Sequence, residues 1–230
     1  MPRTQPQIAH ALSLGSPIAE ISGIGPKRAQ ALAERGIVTV EDVLFHLPSR
    51  YQDWRERRTI AELVPGVTAV VEGILSGVRE RPMRGSRWRR LVTATLTDAG
   101  GAKLRLVWFN LPPYMRGRMP EGQAAAVFGR VTQGDDDELE MMHPELRAES
   151  NGGEEPIRPV YRVPDAMPQR LYAAVVGRAV REAADEATDA IPDELRAAAG
   201  LSSLPDALRY LHQPPADADI RRLQGGSSPG

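Results

Sequence analysis

The spacing of apolar positions along the chain changes period twice. In residues 21–47, ISGIGPKRAQALAERGIVTVEDVLFHL, the spacing is helical. Pro26 suits a first helical position, Ala29, Leu32 and Ala33 share one face, and Gly36 ends the helix. Thr39 can cap a second helix running to Leu47, with Glu41 and Asp42 favourable in its first turn, and Pro48 stops it. Ile8, Leu12 and Leu14 predict one short helix in residues 1–16, and residues 17–21 predict a helical turn. From Gly66 the period becomes two. It predicts strands near 67–80, 88–98, 102–109, 123–132 and 138–142, with Asp98-Ala99-Gly100-Gly101 as a hairpin turn. Five strands with a break after the third is the pattern of an OB-fold barrel, in which Gly73 and Gly129 allow sharp bends; a small SH3-like barrel is the rival. Helical spacing then returns over 168–189, with Leu171, Val175, Val176, Ala179 and Val180 inward, and shorter helices follow Pro192 and span 205–212.

The fold class expected is therefore α+β. It comprises a helical N-terminal segment with a helix-hairpin-helix-like element, a five-stranded OB-fold β-barrel and C-terminal helices. The expected divisions are 1–65 (helical), 66–147 (barrel), 148–215 (a helical linker region) and 216–230, a tail ending in QGGSSPG that reads as disordered. AESNGGEEP at 148–156 reads as a mobile boundary.

Charge sharpens this division. Residues 1–133 hold 19 Lys and Arg against 11 Asp and Glu, whereas residues 134–230 hold 10 against 19. The first half is the one suited to a polyanion. The chain has no cysteine, which excludes disulfides, thiolate zinc sites and a cysteine nucleophile and fits a reducing cytoplasm. No apolar run approaches the ~20 residues that span a bilayer. No Gly-Lys pair occurs, so there is no Walker A loop. The four histidines are scattered without metal spacing, and the acidic run at 135–138 reads as a solvated turn; neither a metal nor another cofactor is expected.

Two segments carry candidate chemistry. In GIGPKRAQAL, Gly23 and Gly25 form a tight turn whose following helix can offer backbone N–H groups to a phosphate, with Lys27 and Arg28 adding charge; a purely packing role is the competing reading. RERPMRGSRWRR (79–90) places Arg79, Arg81, Arg84, Arg87, Arg89 and Arg90 against Glu80 alone, with Trp88 as a stacking surface, in the loop between the first two strands that OB folds use to bind nucleic acid. The strand KLRLVWFN alternates. Leu104, Leu106 and Trp108 form one face, while Lys103, Arg105, Val107 and Phe109 form the other, suited to tracking phosphates and stacking a base, with Tyr114 following. The residues point to a DNA-binding region without its own motor.

The order of GIGPKRAQALAERGIVTVEDVLFHLPSRYQD, a barrel containing WFN, then MMHPE, PVYRV and ALRYLHQP resembles the N-terminal region of the RecG family of bacterial branch-migration helicases, from about residue 18 to residue 214. The resemblance implies a wedge domain, an OB fold flanked by helices, that binds the branch point of replication forks and Holliday junctions in recombination and repair. In the family two ATPase lobes follow it; they have no counterpart here. It also implies base stacking by Phe109 and Tyr114, although Pro112-Pro113 sets these five residues apart where the family has about four. The partner expected is branched DNA. The alternative is an OB-fold interaction module docking on single-strand-binding protein or on a separately encoded motor.

Overall fold

A computed structural model describes residues 11–83, 89–117, 119–134, 137–148 and 155–225, apart from the Tyr114 side chain. The chain divides into two compact units. One joins Met1–Gln52 to Ile157–Gly230, and the other is Asp53–Pro156.

The first unit is mostly helical. It holds α1 (Pro26–Ala33), α2 (Val40–Phe45), α4 (Gln169–Ala183), α5 (Asp193–Ala198), α6 (Leu204–His212) and α7 (Ile220–Gln224), with the strands β1 (Arg50–Asp53, whose last residue lies at the unit boundary) and β9 (Ile157–Val160) paired. Thr39 caps α2 as expected, in a reciprocal box: its hydroxyl accepts from the Asp42 N–H at 3.2 Å and the Asp42 carboxylate accepts from the Thr39 N–H at 2.9 Å. Helices from both ends of the chain share one core, in which Leu32, Val40, Val43 and Leu44 meet Tyr172, Val175, Val176, Ala179 and Leu208. Residues 220–224, expected in a disordered tail, instead form α7, because Asp219 caps it and Leu223 is buried with Tyr51 and Ile157. Residues 1–10 of the first expected helix, the expected boundary residues 149–154 and the last five residues lie outside the described set.

A polar knot crosses this core. The His212 ring Nε2 is 2.7 Å from the Leu44 carbonyl, which can only accept, so Nε2 carries the proton. Nδ1 then accepts from the Tyr161 hydroxyl at 3.0 Å. His46 Nδ1 lies 2.6 Å from the Tyr172 hydroxyl, and the Tyr161 and Tyr172 rings meet edge-on. Burial pushes His212 below the ordinary imidazole range, against the opposing effect of the Leu44 carbonyl; burial and Arg35 push His46 the same way.

The second unit is a curved sheet of β2 (Arg57–Arg58), β3 (Thr68–Pro82), β4 (Arg90–Thr97), β5 (Lys103–Phe109), β6 (Ala124–Gln133), β7 (Leu139–Met142) and β8 (Glu145–Ala148), with α3 (Pro113–Arg116) between β5 and β6. The order is β2-β3-β4-β5-β7-β6-β8, and β3 pairs β6 as well. This is the pairing of an OB fold, with β5 and β7 parallel. The long β3 makes it possible: Thr68–Ile74 pair β6, and Ile74–Pro82 pair β4. Gly73 sits at the changeover, where an added Cβ would lie 2.3 Å from the Thr97 carbonyl oxygen, so only glycine permits the approach. Val71, Leu75, Val92, Leu96, Leu104, Leu106, Trp108, Val127 and Met141 fill the inner side.

Candidate nucleic-acid interface

Strand alternation fixes which side chains leave the core. Leu104, Leu106 and Trp108 are buried inside, as their alternation predicts, and the Trp108 indole N–H donates to the Pro144 carbonyl at 3.0 Å. Their neighbours therefore lie on the opposite face, where Val107 and Leu91 are nonetheless buried, and the strand register aligns that face into rows across three or four strands. Arg81, Leu91 and Phe109 form one row; Arg79, Thr93, Val107 and Met142 the next; Ser76, Thr95, Arg105 and Glu140 the third; Thr97 and Lys103 the last with Ile74.

The middle strand contributes only short side chains to the last three rows, Thr93, Thr95 and Thr97, with Arg79 on the β3 flank and Arg105 and Lys103 on the β5 flank. The result is a groove of about 370 Å³ lined by Gly77, Arg79, Thr93, Thr95, Lys103, Arg105, Glu138 and Leu139 among others. Among the described residues none forms an ion pair with Arg79, Arg81, Lys103 or Arg105. Their charge faces solvent over a floor of hydroxyl and methyl groups. Such a surface can hold a chain of phosphates, and Phe109, half-buried at one end, offers a ring face. That ring lies 5.5 Å from His143. Six residue steps of extended strand run from Lys103 to Phe109, roughly 20 Å, the reach of several nucleotides.

The sequence-predicted residues divide accordingly. Lys103, Arg105 and Phe109 share the outward face. Arg90 leaves β4 on the opposite side, in register with Pro82, and its Nε lies 3.8 Å from Glu80. Arg89 ends the described arm, where the Met83 N–H donates to its carbonyl at 2.9 Å. Arg84, Arg87 and Trp88 lie outside the described residues, as does the Tyr114 side chain, although the Tyr114 backbone belongs to α3.

Gly23, Gly25, Lys27 and Arg28 belong to the other unit. Gly25 precedes α1, and its carbonyl accepts from the Arg28 and Ala29 N–H groups at 2.9 and 3.0 Å. Arg28 Nη1 donates to the Gly23 carbonyl at 2.8 Å, so this guanidinium braces the turn. Lys27 is exposed beside a hollow lined by Gly25, Pro26, Arg28 and Ala166.

The β4 threonines and Glu138 were not singled out as site residues by sequence reasoning. The signal was present in Thr93-x-Thr95-x-Thr97, a polar face opposite Val92, Ala94 and Leu96. Its value depends on which strands flank it, which alternation does not tell.

Comparison with known proteins agrees with the fold. The family model of the RecG wedge domain matches residues 17–182. The ATP-dependent DNA helicase RecG of Escherichia coli (strain K12) is 30% identical over 219 residues, which cover 93% of this chain and 30% of that protein. The ATP-dependent DNA helicase RecG of Bacillus subtilis (strain 168) is 29% identical over 197 residues, 86% of this chain and 28% of that protein. A solved structure of RecG bound to a three-way DNA junction superposes with a TM-score of 0.75 at 22% identity, over 95% of this chain and 29% of that one. The chain thus spans about 30% of the length of these relatives. With the model matching well over half of its residues, the chain belongs to the RecG wedge domain family.

Proposed function

We propose that this chain binds branched DNA, as the wedge region of a RecG-like ATP-dependent DNA helicase acting at replication forks and Holliday junctions in recombination and repair. The observation that carries the reading is the outward face of β3, β4 and β5. There Arg79, Lys103 and Arg105 flank a threonine floor with no described ion-pair partner, and Phe109 stands at its end. Arg79, Arg81, Lys103 and Arg105 follow phosphates. Phe109, with Tyr114 on the adjoining connection, stacks on bases where a duplex divides. The arginine-rich sequence of residues 79–90 adds further positive charge, and the Gly23–Arg28 turn offers a second backbone contact. The junction-bound RecG relative supports branched DNA as the ligand. A cytoplasmic location accords with the absence of cysteine, and no described helix is long and apolar enough to cross a membrane.

Gel-shift titration at fixed salt, without ATP, against a fork, a four-way junction and a linear duplex of equal length tests this. Tighter binding to the branched substrates is the expected result. Equal affinity for all three removes the wedge reading.

A further inference from the structure

We propose that Glu80 and Glu121 are positioning residues that clamp the β5–β6 connection, residues 110–123, onto the arginine-bearing β3–β4 hairpin, so that both meet a branched nucleic acid as one preformed surface. The functional half of this proposal rests on the DNA-binding reading above.

By connectivity the hairpin and the connection are separate excursions. The structure ties them at three points. Where β5 ends, Asn110 takes a φ of 53°, which asparagine tolerates better than most residues. Its side-chain oxygen accepts from the Arg90 N–H at 3.0 Å, while its own N–H donates to the Arg90 carbonyl at 2.8 Å. In the middle of the connection α3 brings Arg116 to Glu80, whose other oxygen lies 3.8 Å from Arg90. At the far end Glu121 accepts from the Val78 N–H at 3.1 Å. That N–H is available because the β3–β4 register shifts between Ser76 and Arg79, with Gly77 at φ +63°. A bulge leaves one residue out of the ladder, and a carboxylate from the connection meets it. The Gly122 N–H then donates to the Leu75 carbonyl at 2.7 Å.

Glu80 is the feature a simple electrostatic view leaves unexplained. It is the one carboxylate among the six arginines of residues 79–90. If charge alone mattered, removing it would strengthen binding to every DNA. It faces the inner side of the sheet, in register with Val92 and away from Arg79 and Arg81, and it reaches Arg116. The clamp therefore predicts the opposite sign for branched DNA. A preformed surface loses less freedom on binding, and that advantage goes with the tie.

The test uses E80Q, E121Q and the charge swap E80R/R116E. Amide exchange in the free protein is expected to accelerate about two- to fivefold around Met115–Gly117 in E80Q, the size of effect a partly exposed ion pair supports. In E121Q it accelerates at Val78, and the charge swap restores the Met115–Gly117 amides. The ratio of branched to linear affinity is expected to fall about threefold in E80Q and to recover in the swap. Equal strengthening of branched and linear binding in E80Q overturns the proposal in favour of plain charge repulsion. Unchanged exchange in both single variants overturns the clamp whatever the DNA result. A wild-type chain that shows no branched preference but the expected exchange changes removes the DNA reading and leaves the clamp standing.

Discussion

The sheet of the second unit has two outward halves that share one core and differ in what lies on top. Over β3, β6 and β8, Val70, Ala126 and Phe128 are covered by Trp54, and the Arg147 guanidinium sits 3.6 Å from the Trp54 ring centroid. Beside them Arg57 pairs with Glu72. Over β3, β4 and β5, Arg79, Lys103 and Arg105 stand above threonines with nothing described lying over them. Both halves carry arginine. In one, its charge is stacked and paired, so it contributes to packing; in the other it faces solvent, so it remains available to a ligand. Basic residues alone therefore do not mark an interface here. The neighbour that covers them, or fails to, does.

The largest effect that would break this comparison lies on the covered half. Trp54→Ala should cost about 3–5 kcal/mol of stability in urea unfolding, because it uncovers Val70, Ala126 and Phe128 and removes the face on which Arg147 rests. At a temperature where the variant is still folded its DNA affinity should be close to wild type. A loss below about 1 kcal/mol would mean that the two halves are not differently built.

On the open half the pattern reverses. Replacing Arg79, Lys103 and Arg105 together by alanine should flatten the dependence of log affinity on log salt by roughly two units and weaken all DNA alike. Its melting temperature should stay within about 4 °C of wild type, as for surface changes generally. An unchanged salt slope would move the phosphate path off this face.

Phe109→Ala sharpens the contrast within a single strand. Loss of one stacked base should cost roughly 1–3 kcal/mol of branched-DNA affinity, read by titration at constant salt, with little change in melting. Trp108→Ala, one residue away but inside the core, should instead destabilise the unit by about 3–5 kcal/mol. If Phe109→Ala melts the unit and spares binding, the ring belongs to the packing around His143.

The smallest expected effect is on pH dependence, and it falls on the other unit. His212 is held neutral, with its imidazole below the ordinary range through burial, and His46 is shifted the same way. The unfolded chain takes up a proton near its ordinary value of about 6.5 while the folded one resists, so the unfolded state binds more protons below that pH. Stability should be level above about pH 6.5 and fall as the pH is lowered through that value. Thermal melts from pH 8 to 5 check the direction, and His212→Gln should flatten the fall. The sheet, followed through Trp108 fluorescence in a W54F/W88F background, should not share it. A fall of equal size in both units would point to general charge repulsion.

Much of the molecule was legible from local pattern. The period-two run located five strands to within about two residues, because alternation of Leu104, Leu106 and Trp108 with Lys103, Arg105 and Phe109 follows from strand geometry alone. Thr39 with Asp42, and Gly36 after α1, are local signals for local structure. Gly73 was legible as a bend, though its reason, the Thr97 carbonyl, was not. The short strands β1, β2, β8 and β9 escaped notice because two to four residues carry too little periodicity, and α7 because its cap and one buried leucine sit in a polar stretch.

What the sequence determined by itself is the class of each segment, the concentration of positive charge in its first part and the side of each strand that carries it. Tertiary structure decided the rest. It brought the two ends of the chain into one helical core and placed Trp54 over Arg147, distant in sequence. It turned Arg90 toward Glu80 while leaving Arg79 and Arg105 across a threonine floor. The physical reason is range. Periodicity, capping and turn chemistry act within a few residues, whereas burial of an aromatic and the pairing or exposure of a charge depend on which distant segments the fold brings alongside.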